Sequence, residues 1–314
     1  MIAEMERRGF EDIVAVDSFG NEAKWRNVAK RGPLMFVAPD ELHGFCTAHC
    51  GEIKAIFHLG AISSTTETDV DLIVNNNFRL TVWLFDFCRT QGITLIYASS
   101  AATYGNGEKG FVDRSDAGYV NALRPLNPYG WSKNAVDKYL VSQGAYNAEN
   151  IGQVVGLKFF NVYGPNEYHK GMQMSVVRHF FKQYCESGKV RLFKSYRDDC
   201  PHGEQRRDFV WVGDCVAVML WMFEHPHVRG LFNVGTGNAT SYNTVARSIA
   251  EAMGIEPVIE YIDMPDSVRN QYQYFTEADL SKLRLAGYDA TFTTVPEGVR
   301  CYVQDFLMQE DCYL

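Results

Sequence analysis

Short apolar runs alternate along the chain with segments whose apolar residues recur at helical spacing. The runs predicted as strands are residues 13–17, 54–61, 94–100, 154–160, 189–193 and 231–235. The segments predicted as helices are residues 2–8, closed by Gly9, residues 72–89, closed by Gly92, the segment from Asn127 to Gly144, and helices through 176–181, 216–223 and 241–253. Strands and helices that alternate in this way form a parallel sheet covered by helices. We therefore predict an α/β, Rossmann-like doubly wound fold.

One short segment near the middle of the chain carries the strongest candidate chemistry. Asn127 is a good N-cap and Pro128 a good first helical residue, so a helix should begin here. Tyr129 and Lys133 then lie one turn apart on the same helical face. A free phenol has a pKa of about 10, and a neighbouring ammonium lowers it, which makes Tyr129 a usable proton carrier. Ser100, at the end of a predicted strand, is placed to hold the substrate oxygen that exchanges this proton.

Polar or small residues also end the first two predicted strands. In a dinucleotide-binding fold, an acid at the position of Asp17 holds the adenosine ribose, although an ordinary turn residue is the alternative interpretation. Lys24 would approach a ribose 2'-phosphate, and Gly60 and Ala61 leave room for a cofactor. Asn76 is the polar residue on the apolar face of the next helix, and we expect it to be a buried amide that bonds a loop or supports the cofactor strand.

The glycine-rich turn of a dinucleotide site does not precede the first predicted strand. Such folds open with a strand and a Gly-x-x-Gly-x-x-Gly turn at a helix N-terminus. Here the residues before Ile13 already have a helical pattern. We expect either that the first strand and phosphate loop have been lost or misassigned, or that the cofactor site is impaired.

Composition and charge exclude some classes of protein. Apolar residues make up 46% of the chain and charged residues 22%, as in ordinary globular proteins. The net charge of -8 argues against a nucleic-acid partner. No apolar run approaches the ~18 residues of a membrane span, so we expect a cytoplasmic protein with no membrane partner.

The cysteines suggest reduced thiols rather than a disulfide framework, because they are scattered through a long chain. One cluster contains His43, Cys46, His49 and Cys50. These side chains could be zinc ligands, but Cys46 and His49 also follow helical spacing from Leu42. No second ligand pair follows nearby, so we predict a helix and no metal.

Several motifs occur together and in order. They are Ser-Ser at 99–100, Tyr-x-x-x-Lys at 129–133, and Asn-Val-Tyr-Gly-Pro at 161–165. The Tyr-x-x-x-Lys pair alone is weak evidence, but the combination resembles the extended short-chain dehydrogenase/reductase family, which includes nucleotide-sugar epimerases and dehydratases. Ser-Ser-Thr-Thr-Glu at 63–67 and His-Lys-Gly at 169–171 are more specific, and they are similar to the members that invert C6'' of an ADP-linked heptose.

This resemblance implies a reaction and a partner. The reaction is oxidation of C6'' of an ADP-sugar to a ketone by bound NADP, with NAD as the alternative, and re-reduction on the opposite face. Tyr129 and Lys170 would be the two acid/base groups, and Ser100 and Lys133 would complete the catalytic set. The resemblance also implies a homo-oligomer, a pentamer, and a role in lipopolysaccharide core precursor synthesis.

The matched positions define two candidate binding sets. The cofactor set is Asp17, Ser18, Lys24, Leu59, Gly60, Ala61, Ile62, Ser63, Asn76, Tyr129, Lys133, Val162 and Lys170. The substrate set is Ser100, Asn161, His179, Phe193, Lys194, Ser195, Arg207 and Tyr272. Arg207 is the expected diphosphate clamp, because a guanidinium offers paired donors to phosphate oxygens.

The same resemblance implies two interleaved domains. Residues 1–161 and about 206–231 would form the NAD(P)-binding domain, and about 162–205 and 232–314 the nucleotide-sugar-binding domain. Residues 168–171 and 198–205 are expected to be loops. Met172, where a small hydroxyl residue is expected, and the length of the second loop depart from the family pattern.

Three alternatives stay open. A UDP-hexose 4-epimerase would have no obvious use for Lys170. A dehydratase usually has an acid just after the serine position, where this chain has Ala101 and Ala102. The third alternative is a non-catalytic sensor or scaffold, which the missing glycine turn favours and the retained proton-transfer groups oppose.

Overall fold

The structure is a computed structural model that describes residues 1–20, 23–147, 152–269 and 272–314. The helices are α1 (Ile2–Arg7), α2 (Leu42–Ala48), α3 (Val70–Ile73), α4 (Leu80–Gln91), α5 (Ala117–Ala122), α6 (Pro128–Ser142), α7 (Val176–Ser187), α8 (Val212–Glu224), α9 (Tyr242–Met253), α10 (Asp266–Arg269), α11 (Ser281–Leu285) and α12 (Val295–Tyr302). The strands are β1 (Val14–Val16), β2 (Met35–Val37), β3 (Ala55–His58), β4 (Thr94–Ser100), β5 (Val154–Phe159), β6 (Asn161–Tyr163), β7 (Val190–Phe193), β8 (Arg206–Arg207), β9 (Phe209–Trp211), β10 (Gly230–Val234), β11 (Thr240–Ser241) and β12 (Ile259–Ile262). Single turns of 3-10 helix cover Ala23–Asn27, Ala101–Tyr104 and Tyr168–Gln173, and π-helical turns cover Val74–Arg79 and Val303–Leu307.

The chain divides into two compact units. The first unit comprises Met1–Phe159, Val216–Asn233 and Lys282–Tyr288, and the second comprises Phe160–Cys215, Val234–Ser281 and Asp289–Leu314. The domain assignment stays a prediction, and the bounds of these units differ from it. Residues 160–161 and 206–215 lie in the second unit, and residues 232–233 and 282–288 in the first.

The first unit is built on a parallel sheet. Its four-stranded part has the order β10-β5-β4-β3, in which β3, β4 and β5 are parallel, and β1 pairs in parallel with β2. Leu95 and Val154 of the sheet pack with Leu84 of α4 and Leu140 of α6 in a buried core. The predicted α/β class and these strands are confirmed.

The second unit combines short strand pairs with three core helices. β7 pairs in parallel with β12, β6 in parallel with β9, and β8 antiparallel with β11. Phe180 of α7, Ile249 of α9 and Val299 of α12 lie in one buried cluster. These three helices have apolar residues at helical spacing, so each buries one face against the others.

The start of α6 is as the sequence predicts. The side chain of Asn127 accepts a hydrogen bond of 2.8 Å from the Gly130 amide, and Pro128 is the first helical residue. Gly144, with φ of +64°, follows the last turn. A capped helix start of this kind depends only on neighbouring residues, so it can be predicted from the sequence.

The predicted helix over residues 72–89 is interrupted. It consists of α3, the π-helical turn Val74–Arg79 and α4, and it ends at Gly92 as expected. The π-helical turn changes which residue faces inward. Asn77 is fully buried, whereas Asn76 is partly exposed and donates to the Leu72 carbonyl at 2.8 Å. The prediction that Asn76 is the buried amide is therefore wrong, and Asn77 has that place.

Other local predictions have mixed outcomes. The helical interpretation of the histidine and cysteine cluster is confirmed for His43 and Cys46 in α2, whereas His49 and Cys50 follow the last residue of this helix. Residues 198–205 lie outside the helices and strands, as expected for a loop. The prediction of a loop at residues 168–171 is wrong, because a 3-10 turn forms there. No helix in the described ranges has both the length and the apolar character needed to cross a membrane.

Candidate active site

Ser100 and Tyr129 are brought together where β4 ends and α6 begins. Ser100 is the last residue of β4, and its hydroxyl oxygen accepts a hydrogen bond of 3.1 Å from the Ala102 amide. A Cβ added to Gly130 would lie 2.7 Å from the Ala102 carbonyl oxygen. Glycine therefore allows the first turn of α6 to approach the turn that follows Ser100.

Burial dominates the proton affinity of Tyr129 and Lys133. It raises the pKa of Tyr129, and the nearby Ser100 hydroxyl opposes this rise. Burial also lowers the pKa of Lys133 to about 8, and the Asp137 carboxylate opposes this fall. The expected lowering of the Tyr129 pKa by Lys133 is thus not found, because desolvation of the phenol dominates its pKa.

The Lys133 ammonium lacks an acceptor in the protein. Its side chain is only 2% exposed, and it makes no hydrogen bond with any residue that the structure describes. A buried ammonium without acceptors is unfavourable, so this position calls for oxygen atoms from a ligand. The two hydroxyls of a nicotinamide ribose have that chemistry. The described residues therefore fit a nicotinamide dinucleotide at this point.

Asn77 ties the predicted cofactor loop to the catalytic helix. Its side chain accepts from the Ile62 amide at 2.8 Å and donates to the Ile62 carbonyl at 2.9 Å. It also donates to the Ser132 hydroxyl at 3.0 Å. The loop of Leu59 to Ser63 and the α6 segment between Tyr129 and Lys133 are thereby held together. The run of three asparagines at 75–77 was the signal for this residue, but regular helical spacing favours Asn76.

Asp17, Ser18 and Lys24 form one cluster at the carboxyl end of β1. The Lys24 ammonium lies 2.6 Å from the Asp17 carboxylate and donates to the Ser18 carbonyl at 2.9 Å. The Ser18 amide donates to Asp17 at 2.8 Å. The structure thus brings together three residues of the predicted cofactor set.

In the second unit, Lys170 lies on a turn that other residues fix. The buried Glu167 carboxylate accepts from the Ser175 hydroxyl at 2.7 Å and from the Tyr302 hydroxyl at 2.9 Å. The ring of His179 lies 3.2 Å from the Met172 carbonyl of the same turn. The Lys170 side chain is exposed, and it makes no hydrogen bond or ion pair within the described parts of the chain. Its amine is therefore available for a ligand.

Three of the predicted substrate residues meet in the second unit. The Arg207 guanidinium lies 5.4 Å from the Tyr272 ring centroid, and the rings of Tyr272 and Phe193 are 6.4 Å apart. Arg207 donates to the backbone carbonyls of Arg206 and Gln273. Since a guanidinium has five N–H donors, others stay available for an anion.

The remaining predicted substrate and cofactor residues of this unit are more open. Ser195 lines an open cavity of about 490 Å³ together with residues of the 198–205 loop. Lys194 is paired with Asp263 at 3.1 Å. Asn161 and Val162 are exposed on β6.

The family of the protein follows from its sequence as well as from this geometry. Residues 1–235 match the model of the NAD dependent epimerase/dehydratase family. The chain belongs to this family. The expected nicotinamide cofactor is thereby supported as NAD or NADP, without a choice between the two.

Particular relatives are similar over nearly the whole chain. The ADP-L-glycero-D-manno-heptose-6-epimerase of Nitratidesulfovibrio vulgaris (strain DP4) is 43% identical over 319 residues, which cover 100% of this chain and 96% of the relative. The crystal structure of the Helicobacter pylori ADP-L-glycero-D-manno-heptose-6-epimerase superposes with a TM-score of 0.79 at 25% identity, covering 97% of this chain and 91% of that one. MoeE5 in complex with UDP-glucuronic acid and NAD has a TM-score of 0.72 at 26% identity, covering 95% and 91%.

Proposed function

We propose that the protein is an epimerase that inverts C6'' of an ADP-glycero-manno-heptose. The observation that carries this proposal is the 43% identity, over the full length of the chain, with a relative that is named for this reaction. A shared family fold alone would not select a sugar, because one fold hosts many substrates.

Inversion at a carbon that bears a hydroxyl makes clear chemical demands. The C6''–H bond breaks with its electron pair while the hydroxyl loses a proton, and a planar ketone results. A bound nicotinamide would supply the hydride acceptor for this oxidation and the hydride donor for reduction of the opposite face of the ketone. The protein must then exchange a proton with the same oxygen in two orientations, and one acid/base group for each orientation is a simple solution.

Tyr129 and Lys170 are the two proposed acid/base groups. Burial raises the pKa of Tyr129, so its phenol is protonated at neutral pH and suits proton donation to the oxygen of the ketone. The adjacent Ser100 hydroxyl is available to hold that oxygen. Lys170 offers an amine on a turn that Glu167 and His179 hold in place.

The proposal is tested by a direct assay. Purified protein supplied with NADP is incubated with an ADP-glycero-manno-heptose, and the two C6'' epimers are resolved by NMR. We expect the two epimers to reach equilibrium from either starting compound. Turnover of UDP-hexoses instead, or no turnover of any nucleotide sugar, would contradict the proposed substrate.

Two lysine variants test the assigned roles. Lys170→Met should reduce kcat by roughly 10²- to 10⁴-fold, the usual contribution of a general acid or base. Lys182→Met is the matched control, because Lys182 is an exposed lysine of the same unit that pairs with Glu186 at 3.7 Å. Equal rates for the two variants would remove Lys170 from the mechanism.

The preference for NADP is a finer part of the proposal. Lys24 provides a positive charge beside Asp17 at the end of β1, where the adenosine ribose is expected. A 2'-phosphate adds negative charge there, and Lys24 offers it a partner. Lys24→Ala should therefore weaken binding of NADPH more than binding of NADH, as measured by fluorescence titration. Equal losses of affinity for NADPH and NADH would favour NAD as the cofactor.

A further inference from the structure

A buried ion pair lies one helical turn beyond Lys133. Asp137 follows Tyr129 and Lys133 at successive spacings of four residues, so the three side chains share one face of α6. The Lys158 ammonium of β5 donates to the Asp137 carboxylate at 2.5 Å, and both side chains are 0% exposed. A fully buried pair of this kind is costly to form, and it therefore needs further hydrogen bonds.

The Asp137 carboxylate has such bonds. It accepts from the Tyr97 hydroxyl and from the Ser99 hydroxyl, each at 2.9 Å. Both residues belong to β4, the strand that ends at Ser100. The Asp137 carboxylate is thus held against β4, the strand that carries Ser100.

The Lys158 ammonium extends the network to Ser100 itself. It donates to the Thr103 hydroxyl at 2.7 Å, and Thr103 donates to the Ser100 carbonyl at 2.8 Å. The pair therefore joins Lys133, through its helix, to the backbone of Ser100. No step of the proposed reaction uses Asp137 or Lys158 directly.

Asp137 is also a buried carboxylate one turn from Lys133 on α6, and its charge raises the pKa of Lys133. Among the described residues of α6 and of the elements packed against it, the other acids and bases are neutral or solvent-facing. The neutral groups, each with a pKa shifted by burial, are His58, Cys88, Tyr97, Tyr104, Tyr119 and Tyr146. The partly or fully exposed charges are Asp71, Arg79, Asp86, Arg89 and Lys138.

We infer that Asp137 is a positioning residue for the proposed reaction, whose carboxylate, held by Lys158, keeps the Lys133 ammonium charged and directed along the face of α6. The inference rests on the proposed function, because Lys133 matters there as the cation beside Tyr129 and the nicotinamide ribose. Lys158 supplies the positive partner of the Asp137 carboxylate in this buried site, at 2.5 Å.

The test compares Asp137→Asn with the double variant Asp137→Asn/Lys158→Met. The single variant leaves Lys158 buried without its counter-ion, so it should unfold at a lower urea concentration than the wild type. The double variant removes both charges and should regain most of that stability. If Asp137 and Lys158 contributed only to stability, the double variant would therefore behave like the wild type in every measurement.

The decisive measurement is the pH dependence of Lys133 labelling by acetic anhydride, followed by mass spectrometry between about pH 6 and 10. In the wild type the midpoint should lie at about 8. In both variants it should fall by about one pH unit, because the opposing carboxylate is gone. Lys138→Met, a change on the same helix, should leave the midpoint unchanged. A wild-type midpoint in the stable double variant would overturn the inference.

The pH dependence of kcat tests whether the charge of Lys133 affects catalysis. The alkaline limb of this profile should move to lower pH in the double variant by the same amount as the labelling midpoint. Absence of epimerase activity in the wild type would contradict the proposed function alone, because labelling of Lys133 requires neither substrate nor cofactor. A shifted midpoint with an unshifted kcat limb would show that Asp137 acts on Lys133 but not on the reaction, and would overturn the catalytic part.

Discussion

The side-chain amide of Asn77 forms paired hydrogen bonds with the backbone of Ile62, at 2.8 Å and 2.9 Å. The amide thereby satisfies both polar groups of one residue in the loop after β3, where the sequence predicts cofactor contacts. The π-helical turn of residues 74–79 makes this possible, because it directs Asn77 rather than Asn76 toward the interior. Such turns are frequent at functional sites, where they re-aim one side chain.

Asn77→Ala should reduce both stability and cofactor retention. The Ile62 amide and carbonyl would lose their partner, and an unsatisfied buried group costs about 1–3 kcal/mol. We expect a loss of about 2 kcal/mol in urea unfolding and less nicotinamide in the purified protein. The control is Asn75→Ala, since the exposed Asn75 side chain accepts a hydrogen bond of 2.8 Å from Arg79 of the same helical segment. Equal effects of the two changes would argue against the assigned role of Asn77.

Gly130→Ala should impair catalysis. The added Cβ would lie 2.7 Å from the Ala102 carbonyl oxygen, so the first turn of α6 must move away from Ser100. Small displacements of reacting groups lower rates steeply, and we expect kcat to fall roughly 10- to 100-fold. Gly44→Ala in α2, where the added Cβ meets nothing within 4 Å, should instead stabilise the protein by about 0.5–1 kcal/mol. Steady-state kinetics and thermal unfolding of both variants check this; unchanged kcat in Gly130→Ala would contradict it.

Tyr302→Phe should loosen the turn that carries Lys170. The Glu167 carboxylate would lose a donor at 2.9 Å, at a cost of about 1–3 kcal/mol. We expect kcat to fall while KM changes little, because the turn would still form but would hold Lys170 less firmly. Tyr184→Phe removes a hydroxyl that donates to the Ala246 carbonyl at 3.2 Å in the same unit. This control should lose some stability without losing kcat, and a parallel loss of kcat would show a general effect of destabilisation.

His58 should make the protein sensitive to mild acid. Burial, aided by the charge of Lys133, lowers the His58 pKa from 6.5 to about 3. The unfolded chain therefore binds a proton below pH 6.5 that the folded chain does not bind, and stability falls as the pH falls through the window from 6.5 to 3. Between about pH 7 and 5 this single group should account for about 2 kcal/mol.

Urea unfolding at the two pH values measures this loss. His58→Gln should abolish most of the difference, because glutamine does not titrate in this range. His227→Gln, at an exposed position, should keep the wild-type difference. An unchanged acid loss in His58→Gln would assign the effect to other groups.

Sequence reasoning located one half of the candidate active site closely. It placed Ser100 at the end of β4 and Tyr129 in the first turn of α6, and the structure confirms both positions. It missed Asn77 because the asparagine run at 75–77 does not show which member faces inward, and it missed Asp137 because helical spacing does not show which carboxylate is buried. The sequence pattern around a buried carboxylate on a helix is the same as that around a solvated one, and only the position of the covering strand distinguishes them.

The surroundings of Lys133 and Lys170 show which properties of the site could not be predicted from the sequence, and why. The sequence predicted that Lys133 would lower the Tyr129 pKa, whereas burial raises it. Charge spacing along a helix is readable from the sequence, but the desolvation that competes with it depends on what covers the site. For Lys170 the supporting residue is Tyr302, whose contact Glu167 is 135 residues away.

The sequence by itself determined the alternation of strands and helices, the capped start of α6 and the helix stops at Gly92 and Gly144. These features depend on residues within one or two turns of each other, so the local chemistry contains them. Only the tertiary structure decided that Asn77 faces the loop at Ile62 and that Asp137 is paired with Lys158. Those contacts require chain closure over 15 and 21 residues, and their energy depends on exclusion of water by the whole core.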